Sequence, residues 1–206
     1  MRPLTEHTGK IVPLHRDDVD TDQIIPAEHC KRLTASGYAD VLFEGWREDP
    51  RFALNQREHA DATILLGGHN FGTGSSREHA VWALRDWGFK AVVASSFGDI
   101  FRRNAWKNGL MAVQLPAAVV AWLTAMTDAG TLRELTVDLV ARELRAAGAR
   151  HGFAVDSRAR MLLLKGMDDI GLTLEQDAAI SAYERARPGW LPRVRRVSAT
   201  EPSAGG

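Results

Sequence analysis

Between residues 61 and 130 the sequence alternates short apolar runs with stretches whose apolar residues recur at helical spacing, and few folds accept that pattern. "ATILLG", "KAVVAS" and "LMAVQL" are strand-like runs. "SREHAVWALRDWG" places Ala80, Val81, Leu84 and Trp87 on one helical face, and Gly88 supplies a C-terminal stop. "FGDIFRRNAWKNG" sets Phe97, Ile100, Phe101 and Ala105 on one face and stops at Gly109, while "PAAVVAWLTAMTDAG" is a helix opened by Pro116. Strand, helix, strand, helix, strand, helix predicts an α/β domain whose strands pair in parallel, because each helix supplies a crossover.

The flanking sequence is less regular. "KIVPLHR", residues 10–16, predicts a first strand, and "DDVDTD" an acidic turn followed by "QIIP", a short buried segment ended by Pro26. Asp18, Asp20 and Asp22 alternate as in a calcium loop, but Gln23 and His29 stand where such a loop needs glycine and glutamate. Residues 30–60 are polar and irregular, and "FEGWREDPRF" predicts no regular element. Downstream come a strand at "LTVDL", a charged stretch, and an apolar strand near "HGFAVD". "TLEQDAAISAYERA" predicts a last helix with a Thr173/Gln176 capping box. Trp82, Trp87, Trp106 and Trp122 read as core. The domain is expected to occupy 1–192, with 193–206 a flexible tail of small and polar residues.

Charge and cysteine content narrow the function. Lys plus Arg equals Asp plus Glu at 26 each, which leaves no net field to draw nucleic acid or an anionic membrane. The apolar run 117–126 is too short to span a bilayer, and the N-terminal residues resemble no signal peptide, so a cytoplasmic location is expected. Cys30 is the single cysteine, so this chain alone can build neither a disulfide nor a cysteine-ligated metal cluster.

The residues that carry chemistry lie at "GGHNFGTGSSREHA", 67–80. Ser75 and Glu78 have the S-x-x-E spacing of a capping box, and Gly72 and Gly74 can supply left-handed turn conformations. That grammar alone would make the stretch punctuation. However, an arginine in a first helical turn opposes the helix dipole, whereas Arg77 gripping a carboxylate would suit backbone N–H groups, two hydroxyls and a positive helix end. The P-loop fails because position 73 is threonine, the dinucleotide fingerprint because 77 is arginine, and the nucleophile elbow because Ser76 and Arg77 follow Gly74–Ser75. A carboxylate-binding turn remains.

"NFGTGSSREHA" resembles the signature of the swivelling domain of the aconitase superfamily. "DTDQIIP", "SFGDIFRRNAWKNG", "MDDIGLTLE" and "RPGWLP" are similar, in order, to the small-subunit family of 3-isopropylmalate dehydratases, over residues 9–192. The resemblance implies a swivelling β/β/α domain, a mostly parallel sheet with flanking helices. It implies a hydro-lyase that interconverts 2- and 3-isopropylmalate in leucine biosynthesis by dehydration and rehydration. Ser75 would be the base, acting as an alkoxide; Gly74, Ser76 and Arg77 would hold the substrate carboxylate. Asp22 would pair with a histidine of a large subunit carrying a 4Fe–4S cluster, the chain itself holding no cofactor. Asn104 and Asn108 would bond backbone near the turn, and Asp168 and Asp169 would cap or brace a connection. Thr73 stands where relatives usually have cysteine. A substrate arginine of larger relatives falls, by ungapped offset, on Thr34, so Lys31 and Arg32 are the nearby candidates to replace it.

Elementary energetics agrees that such a chain is half a site. A helix N-terminus contributes about 0.3–2 kcal/mol, roughly one pKa unit, far too little to ionise a serine hydroxyl near neutrality. Small subunits of homoaconitase or of a methylmalate/citraconate hydro-lyase would share every motif, and a carboxylate-binding module without chemistry is the alternative of another class.

Overall fold

The computed structural model describes residues 3–75 and 77–192. In chain order the elements are β1 (Glu6–Pro13), α1 (Thr21–Ile24), α2 (Glu44–Arg47), β2 (Ile64–Leu66), α3 (Glu78–Trp87), β3 (Ala91–Ala94), α4 (Asp99–Lys107), β4 (Met111–Gln114) and α5 (Ala117–Asp128). Then follow β5 (Glu134–Asp138), β6 (Glu143–Ala146), β7 (Ala149–Gly152), α6 (Ser157–Lys165), α7 (Asp169–Leu174) and α8 (Asp177–Ala186). The expected tail, 193–206, lies outside the described residues, as does Ser76.

One seven-stranded sheet runs in the order β4-β3-β2-β1-β5-β6-β7. The β4-β3-β2-β1 half is parallel; the predicted helices α3 and α4 make the β2–β3 and β3–β4 crossovers, and the irregular residues 14–63 make the one from β1 to β2. β5, β6 and β7 extend it as an antiparallel half. The two halves differ in burial, as their pairing requires. β2 and β3 are buried at every position, as parallel strands covered on both faces must be, whereas β5 and β6 alternate. The α/β class and the swivelling-domain expectation both hold.

Several local expectations are corrected by pairing that local pattern does not reveal. β1 starts at Glu6 rather than 10, because Glu6 to Lys10 pair with β5. The charged stretch after β5 folds as the β6–β7 hairpin, its turn made by Ala147 and Gly148, both with positive φ. Across it Arg145 contacts Glu6, Asp138 and Glu143, so the charges that argued against a strand line its open face. The strand expected at "HGFAVD" ends at Gly152. α6, which no motif announced, packs on α4 and buries Leu162 and Leu163.

Residues 30–60 are irregular but not peripheral: Tyr38, Val41, Leu42, Phe43 and Leu54 belong to the core, and α2 is a single turn inside "FEGWREDPRF". Ile100 is exposed rather than on the buried face of α4. Of the four tryptophans, Trp106 is buried and Trp82, Trp87 and Trp122 pack half-buried against the core. The Thr173/Gln176 capping box does not form. Gln176 precedes α8 without a side-chain cap, and Thr173 lies in α7, its hydroxyl donating to Asp169 O.

Candidate active site at the glycine turn

The parallel strands aim their carboxyl ends at one edge, and the turn 67–77 leaves β2 there. A second loop, 17–22, lies against it. Gly72 N and Thr73 N both donate to Val19 O, and Thr21 N donates to Thr73 O at 3.0 Å. The hydroxyl of the buried Thr21 donates to Ser75 O at 2.9 Å. Asn70 Nδ2 donates to Asp18 Oδ1 at the other end of the same seam.

Glycine is required where the seam is tightest. Gly72 has φ +74°, and a Cβ there would lie 2.6 Å from Phe101 Cδ2 and nearer still to Cγ. A Cβ on Gly98 would come within 2.5 Å of Gly72 O. Phe71, Phe97 and Phe101 pack as an aromatic cluster directly beneath the turn, with Phe71 and Phe101 rings 5.4 Å apart. The catalytic-looking loop therefore rests on a rigid floor.

This long-range pairing overturns the capping-box expectation. α3 begins at Glu78, later than the S-x-x-E frame requires, and its N-cap is Arg77 with extended backbone and no side-chain cap. The turn cannot enter the helix earlier because its backbone is held against Val19 and Thr21. Glu78 instead accepts from Asn108 Nδ2 at 2.6 Å, and Asn108 Oδ1 accepts from Trp82 Nε1 at 2.9 Å. Asn108 thus ties side chains of α3 to the end of α4, besides donating to Asn104 O, rather than serving backbone alone. The same register removes the argument from the first helical turn: Arg77 sits just before the helix.

The Arg77 guanidinium is turned toward Asp22, and the two form an ion pair through Arg77 Nη1 and Asp22 Oδ1. The hydrogen bond to Asp22 raises the Arg77 pKa above its already high ordinary value, burial opposing it, so the group stays charged. Asp22 is half exposed and Arg77 mostly covered, so the pair presents an open carboxylate edge beside a fixed cation. Gly74 and Ser75 are exposed on the same rim. Gly74 has φ +87°, and its missing Cβ would stand 3.3 Å from Asp20 Cβ.

The other acidic residues of "DDVDTD" have separate tasks. Asp20 N-caps α1 in a reciprocal box with Gln23, and Asp17 accepts from His69 N at 2.6 Å. With Asp22 paired to Arg77, no calcium loop is assembled. Lys31 ends a 3-10 turn, 27–31, and is exposed. Arg32 is already engaged: it donates to Gly37 O at 2.6 Å and pairs with Asp40. Asp168 N-caps α7, and Asp169 bridges Arg158 and Lys107, both as expected of bracing residues. His79 is packed between Tyr38 and Trp82, and His69 is exposed near Asp18.

Residues 1–118 match the aconitase C-terminal domain family, and residues 169–196 match the C-terminal domain of the 3-isopropylmalate dehydratase small subunit. The small subunit from Parafrankia is 56% identical over 93% of this chain and 98% of its own length. That of Acidothermus cellulolyticus is 54% identical over 95% of this chain and 99% of its own. The chain belongs to the 3-isopropylmalate dehydratase small-subunit family. A crystal structure of 3-isopropylmalate dehydratase from Methanocaldococcus jannaschii superposes with a TM-score of 0.64 at 26% identity, covering 86% of this chain and 98% of that one.

The cluster implied by the superfamily does not fit donors of this chain. An iron–sulfur cluster is held by thiolates, and Cys30 is alone. Among the described residues the one grouping of possible metal ligands is Glu28, His29 and Glu44, a nitrogen and oxygen set. No described helix is long and apolar enough to cross a membrane.

Proposed function

We propose that this chain is the small subunit of a 3-isopropylmalate dehydratase, a hydro-lyase that interconverts 2- and 3-isopropylmalate in leucine biosynthesis. It works only when joined to a large subunit, and the 4Fe–4S cluster is the large subunit's. The observation that carries the reading is the fixed Arg77–Asp22 pair on the same rim as an exposed Ser75, in a chain of this family. Nucleic acid and membrane play no part in it, and the cytoplasm is its place.

In this proposal Arg77 and Ser76 bind the substrate carboxylate, with the backbone at Gly74 close by. Asp22 keeps Arg77 oriented, and its free oxygen remains available to a histidine of the large subunit. Ser75 removes the proton α to the carboxylate and carries it as the neighbouring C–OH bond breaks and the double bond forms; the large subunit's cluster would supply the Lewis acid for the departing hydroxyl. The hydroxyl of Ser75 is exposed in the chain alone, where water screens both Arg77 and the helix end. Covering the rim would remove that screening and strengthen the stabilisation of an alkoxide. A half-site left open to water therefore has no adequate base. Lys31, exposed at the end of the 27–31 turn, is the candidate cation for the second carboxylate. Arg32, proposed from the sequence for the same task, is held by Gly37 and Asp40 and shapes the segment beside it.

The test is anaerobic dehydration of isopropylmalate by this chain alone, by this chain with a cluster-loaded large subunit, and by that mixture made with Ser75→Ala. Turnover in the second mixture only is expected, with Ser75→Ala losing about 10²–10⁴-fold in kcat. Turnover by the chain alone, or a loss below about tenfold, would remove Ser75 as the base. Activity on homocitrate or citraconate but not isopropylmalate would keep the mechanism and replace the substrate.

A further inference from the structure

The segment 31–37 follows the loop that carries Asp22, and its backbone is bolted to α3, the helix that Arg77 immediately precedes. Asp86 Oδ2 accepts from Gly37 N at 2.8 Å and from Tyr38 N at 3.2 Å. Asp86 Oδ1 accepts from Arg85 Nε and Nη2, and Arg85 Nη2 donates onward to Ala35 O at 2.5 Å. Tyr38, fully buried, donates its hydroxyl to Thr34 O at 2.7 Å, with Arg32 O at 3.3 Å. Its ring packs edge-on against His79, in the first turn of α3, and against Trp82 one turn later. The backbone at positions 32, 34, 35, 37 and 38 is thereby held by one helix or by a ring packed on it, while the Leu33 side chain is fully exposed at the tip.

A surface loop that only joins two turns does not need a carboxylate that is itself 14% exposed and braced by an adjacent arginine. Hydrogen bonds to a charged acceptor are about twice as strong as neutral ones. Their common helix matters more than their number. Because Arg77 is the residue immediately before α3, fixing the segment to α3 fixes its distance from the carboxylate-binding cation.

We propose that Asp86 and Arg85, with the Tyr38 hydroxyl, are positioning residues that set segment 31–37 relative to Arg77, and so set how tightly substrate is held without acting in proton transfer. This rests on the functional reading above, in which the segment borders the substrate. None of the three is placed at the reacting atoms; they act through backbone they hold in place.

The assay is steady-state turnover of the assembled enzyme carrying Asp86→Asn or Tyr38→Phe, together with hydrogen exchange at the Gly37 and Tyr38 amides. Tyr38→Phe keeps the buried ring and guards against loss of folding in the first variant. Each variant is expected to raise KM about tenfold, with kcat within about threefold of wild type. Asp86→Asn should also speed exchange at both amides about tenfold. Faster exchange with unchanged KM would show a merely structural tether and overturn the proposal. A fall in kcat at unchanged KM would overturn it too. If the wild-type assembly turns over a different hydroxy diacid, isopropylmalate falls as substrate and the KM-against-kcat split is read on that diacid. If it turns over none, the functional reading and the positioning role fall together.

Discussion

Replacing Gly72 by alanine tests whether the glycine turn rests on a rigid aromatic floor. Two costs add at this position. The backbone has φ +74°, a left-handed conformation that costs an alanine about 1–2 kcal/mol. The new methyl would also lie 2.6 Å from Phe101 Cδ2, well inside contact distance, and Phe101 is only 3% exposed between Phe71 and Phe97. Overpacking of this kind costs about 1–3 kcal/mol because a buried ring has nowhere to move. The sum is roughly 2–5 kcal/mol, and in a domain of this size each kcal/mol moves Tm by about 2–4 °C. Gly130→Ala is the control, since Gly130 has φ +69° but open space around its missing Cβ. It should lose only the conformational part. Thermal unfolding of the two variants, followed by circular dichroism on the chain alone, should place Gly72→Ala lower by roughly 2–12 °C. Equal melting temperatures would refute the claim that Phe101 closes the space beneath the turn.

Two further predictions concern charge. His7 accepts or donates a 2.7 Å hydrogen bond with Thr63 Oγ1, and burial, helped by Lys90, lowers its pKa from the ordinary value. The folded state thus binds this proton less tightly than the unfolded chain. The stability it supports is complete above about pH 6.5 and falls as pH drops from there toward the lowered pKa. Urea midpoints at pH 7.5 and 5.5 should show that fall in wild type and a smaller one in His7→Asn; a larger fall in the variant would contradict the sign. Arg77→Lys keeps the charge but not the fork that faces Asp22, so kcat/KM of the assembled enzyme should drop about 10–100-fold with Tm nearly unchanged. Near-wild-type kcat/KM would show that the site needs only a positive charge there.

The helices and strands of residues 61–130 were legible because their apolar spacing is a local property, set by which faces a crossover unit must bury. The candidate site was legible in its residue types for a similar reason: few uses other than anion binding explain arginine beside glycines and serines. Its geometry was not. The S-x-x-E frame at Ser75 and the T-x-x-Q frame at Thr173 both satisfy the local rule for a helix start, and both lose to other bonds, Ser75 through Val19 and Thr21, Thr173 through its own helix. Likewise, nothing near Arg32 in sequence announces Gly37 O and Asp40 as its partners, and nothing near Tyr38 announces α3.

The sequence by itself determined the class of fold, the residue types of the candidate turn and the need for an outside source of any iron–sulfur centre. Each of these follows from spacing or residue type alone, and Cys30 is the only thiol. Only the tertiary structure decided that Arg77 stands ahead of the helix and faces Asp22, that the charged stretch is a hairpin, and that α3 governs both the cation and the segment next to it. The physical reason is common to the first and the last. A backbone N–H or a guanidinium is satisfied by whichever acceptor the fold brings nearest, and for 22 and 77, or 37 and 86, that acceptor is some 50 residues away along the chain.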